Sequence, residues 1–237
     1  LFRSVAGGNI LRLLRTVRRR EFSDLYQHSE NKFFILTVLI VSIIVALQLV
    51  IHGGMGLFSA IHLALFETLS FLSTSCFAAA DINSWPDMAK ICLLLLMFVG
   101  GAMGSPTGGI KMMRIIVLVK MLLIEMRRTL HPHMAANVIV DGRSVDFAAA
   151  SRILAFFFLY LLAFLIFALL LSIGSGQSLT ATIAMAAACF THGGTGMGLY
   201  EEGAFAALSA YGKTICSLFM IVARMEIFSV LIIFRPC

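Results

Sequence analysis

The sequence predicts an all-α membrane protein made of two repeated units, each a transmembrane helix, a re-entrant helix with an irregular loop, and a second transmembrane helix. Three observations predict it. Sixty per cent of the 237 residues are hydrophobic and only 13% are charged, against roughly a quarter in soluble domains. A hairpin of apolar stretches interrupted by a short helix and a Gly/Ser/Thr-rich turn occurs twice, from Phe33 through Ser73–Phe77 to Ile124, and from Ile153 through Thr191–Gly196 to Phe234. The net charge of +6 is placed on one side: Arg3, Arg12, Arg15, Arg18, Arg19, Arg20 and Lys32 precede the first span, and Lys111, Arg114, Lys120, Arg127, Arg128, Arg143 and Arg152 cluster between the units. That asymmetry puts the N-terminus, the 125–152 segment and the C-terminus in the cytoplasm. It argues against nucleic acid as the partner of the basic run at 12–20, because a span begins a few residues later.

The elements run in order. Residues 1–32 read as a cytoplasmic approach with a basic interfacial helix over 11–20. Phe33–Ile51 carries no charge and is long enough for a hydrocarbon core of about 30 Å. His52–Gly56 ends it with turn chemistry. Leu57–Leu72 is too short and, with His62 and Glu67, too polar to pair with the next stretch as two full crossings; it reads as re-entrant. Ser84-Trp85-Pro86-Asp87 reads as an interfacial anchor and helix start. Met88–Val99 heads inward and meets Gly100–Gly109, ten residues with five glycines and a proline. Interior glycines cost a helix about 1 kcal/mol each and a proline about 3, so the helix breaks there and resumes at Ile110. Broken helices at bilayer depth mark binding sites or gates, and a plain packing kink is the alternative. Ile153–Ser172 crosses outward, Gly174–Gly176 ends it, and Ser178–Phe190 is a small-residue helix suited to close packing. Leu199–Gly212 returns along the outer face and Ile215–Phe234 crosses inward.

Duplicated loops of this kind build ion-selectivity filters, because irregular backbone survives at membrane depth only where it lines a watery cavity. Gly193-Gly194-Thr195-Gly196-Met197-Gly198 holds four glycines in six residues after a short helix. Carbonyls aimed at one axis need φ > 0, which glycine supplies without steric cost. An ordinary C-cap and turn fits the same residues; the matching position in the first unit favours the filter. Arg224 sits in the last span, where an arginine faces protein or water. It is either a fixed charge in the pore or a partner for a carboxylate or for carbonyls; Glu226 points to another helix face. Glu67 caps, hydrogen-bonds the loop or adds negative potential at an entrance, and Asp81 reads as a rim charge. Gly104–Lys111 misses the phosphate-loop spacing and comes after no strand. Five cysteines without a CxxC describe neither a disulfide framework nor a thiolate metal site. His131-Pro132-His133 reads as a solvated turn. No nucleophile–base pair appears, so the chain does not read as an enzyme.

The residues resemble the TrkH/KtrB family of bacterial potassium transport proteins, a K+ channel-like fold of four such units around one pore. Gly100–Lys111 is similar to the glycine-rich intramembrane loop of its third unit (GGSAGSTAGGIK), Thr191–Gly198 to its fourth filter (NNxGPGxG), and Ala223–Phe228 to the GRLEIFT stretch of its last helix. The resemblance covers the later half of that family's length and implies an organisation: 1–32 linker from a preceding unit, 33–130 third pore unit, 131–152 basic cytoplasmic loop, 153–237 fourth pore unit. It implies K+ as the transported substrate and no covalently bound cofactor. The filter backbone is then Thr74, Ser75, Cys76 and Phe77 with His192, Gly193, Gly194 and Thr195, and K+ itself sits at Thr74, Ser75, Cys76, His192, Gly193 and Gly194. The gate is Gly100, Gly101, Gly104, Ser105, Thr107, Gly108 and Gly109, with Arg224.

The resemblance further implies a multi-pass protein of the bacterial inner membrane, surrounded by lipid, working as a homodimer. Its cytoplasmic partner would be a nucleotide-binding, TrkA-like regulatory subunit reached through Arg127–Arg152. The first half of the same protein would be missing from this chain. Cys76 stands where the family's third filter (TTTGFST) has glycine, and a Cβ disfavours the left-handed conformation by about 1–2 kcal/mol. Two alternatives therefore stay open beside potassium uptake: a sodium-permeable or weakly selective relative, and a non-conducting scaffold subunit.

Overall fold

Eight helices and one hairpin account for the described chain. The computed structural model describes residues 28–75, 77–103, 105, 107–131, 138–193 and 204–224. The basic segment at 11–20, Cys76, Gly104, Pro106, Pro132, His133, the loop 194–203 with Gly194 and Thr195, and residues 225–237 with Glu226 lie outside them.

The first unit is α1 (Ser29–Ile51), α2 (Leu57–Leu72), a single 3-10 turn (Ile82–Ser84), α3 (Asp87–Val99) and α4 (Met112–Leu130). The second is α5 (Phe147–Ser175), α6 (Leu179–Phe190), the one-turn α7 (Ala204–Ala207) and α8 (Ala210–Arg224). At 1.5 Å per residue, α1 and α5 exceed the ~30 Å hydrocarbon core, whereas α2 reaches about 24 Å and α6 about 18 Å. Among the described residues, Ser29–Ile51 and Ala148–Ile173 are the helices long and apolar enough to cross a membrane. The break after Val99 falls where the glycines predict it, and the helix resumes at Met112. Ser178 caps α6 by accepting from the Ala181 amide at 3.3 Å, the usual use of a serine at that position.

Among the described residues two large apolar clusters and a small third one (Ile116, Val117, Val140) form, and α6 is the wedge between the large ones. Ala184 and Ala188 belong to the cluster of α1, α2 and α3, with Leu49, Phe71, Leu93 and Met97. Met185, Ala186 and Phe190 belong to the cluster of α5 and α8, with Tyr160, Phe167 and Cys216. Small residues on one face let α3 approach, as the alanine content predicts. Large ones on the other key into aromatic rings: Phe190 lies 4.8 Å from Tyr160 and 6.3 Å from Phe167, which in turn stacks on Phe219 of α8 at 4.6 Å. Phe98 of α3 meets Phe164 of α5 edge-on at 4.9 Å, closing the seam. Trp85 is not an interfacial anchor; it is 3% exposed in the first cluster. The outer faces of α1 (Leu36, Leu39, Ile43) and α5 (Phe158, Leu162, Leu169) stay exposed and apolar, as contact with lipid requires.

The segment 131–152, expected as a basic loop, contains a short antiparallel hairpin, Val138–Val140 with Arg143–Val145. Asp141 and Gly142 both have positive φ (51° and 75°), as the two-residue turn matching strand twist requires. That turn has a second use. Asp141 Oδ1 accepts the Ser29 amide at 2.8 Å and its hydroxyl at 2.5 Å, and His28 Nδ1 lies 3.4 Å from Oδ2. His28, the N-cap residue of α1, makes no side-chain cap of its own, so a carboxylate from the far hairpin caps that helix. Lys120 of α4 fixes the hairpin from the other side, donating to the Ile139 carbonyl at 2.7 Å.

Partial desolvation raises the Asp141 carboxyl, but hydrogen bonds from the Ser29 hydroxyl and amide and from His28 outweigh it, and its pKa falls below the usual value. A carboxyl lowered in the fold stabilises at pH above its unfolded pKa of about 3.9, and the stabilisation is lost as pH falls through the folded value. Asp141→Ala therefore lowers the melting temperature of the detergent-solubilised full-length protein at pH 7, by an amount set by a lost cap of about 1 kcal/mol. The gap between variant and parent closes below pH 4. Equal gaps at pH 7 and pH 3.5 contradict this account.

Candidate functional site

The two short helices end in the same way. Each C-cap is right-handed (Ser73, φ −82°, ψ 0°; Thr191, φ −89°, ψ −3°). The next residue of each is left-handed (Thr74, φ 48°; His192, φ 60°). The caps bond back alike: Ser73 N to Leu69 O and Thr191 N to Ala187 O, both at 2.9 Å. The repeat in the sequence is thus a repeat in backbone conformation. The left-handed residue directly after each cap is not a glycine, and Gly193 does not have positive φ; Gly194, Gly196 and Gly198, the other glycines of that loop, lie outside the described residues. A Cβ at 193 would meet the methyl end of the flexible Met97 side chain, which would have to swing aside.

In the first unit the turn is held from behind. The Ser75 amide donates to Ser70 O at 3.0 Å, the Ser70 hydroxyl donates to Phe77 O at 2.6 Å, and the Phe77 amide donates to that hydroxyl at 3.1 Å. Glu67, fully buried, accepts from the Ala79 amide at 2.6 Å; of the roles open to it, it takes the hydrogen bond to the loop. In the second unit His192 ties its turn to α8. Its Nε2 lies 3.0 Å from the Met220 carbonyl, so that nitrogen carries the proton.

The broken helix closes into a pinned loop. Ile110 N bonds Phe98 O, Lys111 N bonds Val99 O and Met112 N bonds Gly101 O, at 2.9 to 3.0 Å. Inside it, Gly101 N donates to Thr107 Oγ1 at 3.1 Å, and the Ser105 hydroxyl lies 2.6 Å from that same oxygen and 2.7 Å from Ala102 O. Glu30 of α1, buried, accepts the Met103 amide. Gly100 has φ 70°, and a Cβ there would strike the Gly108 carbonyl. Gly108 is where the segments meet. Its amide lies 3.4 Å from Thr74 Oγ1, and its Cα abuts the Thr191 carbonyl so closely that a Cβ has no room.

A cavity of about 190 Å³ opens at this junction. Ser105, Thr107, Gly108 and Gly109 border it from the loop, and His192 and Arg224 from the second unit. The structure thus brings Arg224 to the loop, as expected of those residues. It adds Lys111 and Arg114, which sequence reasoning counts only as cytoplasmic charge; their position directly after the glycine loop is the available signal. The Arg114 guanidinium lies 4.0 Å over the Phe156 ring. Cys76, Gly104, Gly194 and Thr195 lie outside the described residues. Among the described residues no group of three or more His, Cys, Asp or Glu is placed to hold a metal.

Residues 11–237 match the family model of the TrkH cation transport proteins. The chain belongs to that family. It is 33% identical over 218 residues to the Trk system potassium uptake protein TrkG of Escherichia coli (strain K12), covering 92% of this chain and 44% of that protein. It is 30% identical over 220 residues to the Trk system potassium uptake protein TrkH of Halomonas elongata, covering 92% and 45%. The crystal structure of the potassium transporter TrkH from Vibrio parahaemolyticus superposes with a TM-score of 0.87 at 26% identity, over 99% of this chain and 50% of that one. The chain therefore spans about half the length of the relatives it matches. The TrkH architecture bears out the all-α membrane fold expected from the sequence.

Space at Gly108 gives a direct test. Gly108→Ala forces the loop off the Thr191 carbonyl, and overpacking of this kind costs about 1–3 kcal/mol. Its melting temperature falls below that of the parent, whereas Gly56→Ser, at a helix N-cap with open space around it, melts with the parent. A Gly108→Ala protein as stable as the parent contradicts the contact.

Proposed function

We propose that this chain is the later half of a potassium uptake protein of the bacterial inner membrane, contributing two of four pore units. K+ would move down its electrochemical gradient past backbone oxygens of Thr74, Ser75 and Cys76 in one unit and of His192, Gly193 and Gly194 in the other. Dehydration is offset by carbonyl dipoles, and the C-terminal ends of α2 and α6 add partial negative charge toward the ion. The loop Gly100–Gly109 would limit flow beside the two turns, with Arg224 as a fixed charge repelling the ion. The observation that carries this reading is the meeting of Gly108 with both Thr74 and Thr191, which lets one loop control access to both turns. The names of the relatives, potassium uptake proteins and a potassium transporter, agree with it. Two units cannot enclose a four-fold pore, so the first half of the protein completes the ring. A homodimer with a nucleotide-binding, TrkA-like cytoplasmic subunit is the assembly this reading carries, with the 127–152 segment as the contact.

Cys76 supports a second reading, a weakly selective or sodium-permeable relative, since a Cβ stands where the family has glycine. Flux into liposomes from the full-length protein separates the two: equal K+ and Na+ rates support the second, and Cys76→Gly then restores discrimination. Arg224→Ala raises K+ flux roughly tenfold, the effect of removing one charge ~10 Å from the ion at an effective dielectric of about 20. A protein that passes neither ion, with no change on Arg224→Ala, overturns the pore in favour of a scaffold.

A further inference from the structure

The two units share a turn but not its support. Counting back from the C-caps Ser73 and Thr191, the position of Ser70 in α2 is Ala188 in α6, and that of Glu67 is Met185. Neither Ala188 nor Met185 has a side chain that can hydrogen-bond a backbone strongly. Among the described residues, it is in the first unit that side chains of the short helix reach the limb beyond the turn.

A hydroxyl offers one donor and two acceptor sites. Ser70 spends them on one residue, and so on the two peptide groups that flank it: it gives its proton to Phe77 O at 2.6 Å and takes the Phe77 amide at 3.1 Å. Its oxygen also lies 3.2 Å from the Ser75 hydroxyl. The Ser70 carbonyl meanwhile accepts from the Ser75 amide and the Ser73 hydroxyl. Glu67, one turn earlier on the same helix, adds a tie at the Ala79 amide. The Phe77 carbonyl is thereby directed at the helix, so it does not face an ion on the other side of the limb. The limb is also held at Phe77 and Ala79, on either side of Ala78. That hold begins one residue after Cys76, where a cysteine in place of glycine removes a natural means of adopting a left-handed bend.

We propose that Ser70 is a positioning residue that sets ion discrimination at the first unit's turn, holding the Phe77 peptide against the short helix and keeping its carbonyl out of the ion path. This rests on the pore reading above and sharpens it: in this unit the ion-facing oxygens end before Phe77. Selectivity by carbonyls depends on how firmly their positions are held, and here one serine supplies that hold.

The test is the ratio of K+ to Na+ flux into liposomes containing the full-length protein. Ser70→Ala removes both bonds to Phe77, and the ratio falls about tenfold, the scale of one to two net hydrogen bonds. Ser70→Thr keeps the hydroxyl and restores the parent ratio, which a merely structural defect in the helix would not do. If Ser70→Ala fails to assemble, Ser70→Cys decides: a thiol bonds weakly, and its ratio falls between those of parent and alanine. Should the parent ratio already be near one, the comparison is made in a Cys76→Gly background. A discriminating parent whose Ser70→Ala or Ser70→Cys variant discriminates equally overturns the role of Ser70 and leaves the pore standing. A parent that moves neither ion overturns both.

Discussion

The fold depends on a close approach of three irregular backbone segments that a single side-chain carbon would prevent. Irregular backbone at membrane depth must satisfy its own polar groups or lose several kcal/mol for each. Here the segments satisfy one another. The loop after α3 closes on itself through Thr107 and Ser105, then rests Gly108 against Thr74 of one unit and Thr191 of the other. The helices around it exist in their observed lengths to deliver these ends: α2 and α6 stop short of crossing, and α3 stops before its crossing is complete.

Close approach also explains where small residues fall. α6 presents Ala184 and Ala188 to the first cluster and Met185 and Phe190 to the second. It can therefore sit near α3 while gripping the aromatic side of α5. Met97, fully buried, fills the space left by Gly193. A side chain of the first unit thereby packs against the turn of the second. Glu30 links the loop back to the start of α1, and Asp141 caps the same helix from the hairpin. The two carboxylates bind different amides: Asp141 takes that of Ser29, which the helix start leaves unpaired, and Glu30 takes that of Met103 in the loop.

The repeat is one of backbone, with different side chains supporting it. The left-handed residue after each short helix is Thr74 in one copy and His192 in the other, neither the glycine that steric preference suggests. The local cost of that conformation is offset by surrounding bonds: Ser75 to Ser70 in the first copy, and the His192 ring to Met220 in the second.

Local order was legible in the sequence because it is written in composition and spacing. The lengths of the apolar runs placed α2 to the residue and the end of α1, while α1 begins four residues and α5 six residues before the runs do. The glycines and proline of 100–109 placed the break. The resemblance grouped the loop 100–109 with Arg224, and the structure sets Ser105, Thr107, Gly108 and Arg224 around one cavity, with His192 beside them. The trans cap by Asp141, the hold of Ser70 on Phe77, the methyl of Met97 against Gly193 and the place of Lys111 and Arg114 on the cavity were not legible in the sequence. Each is a pairing between residues whose separation along the chain carries no periodic signal. Hydropathy says which elements are made and which way they face; only the packed tertiary structure decides which atoms come within bonding reach.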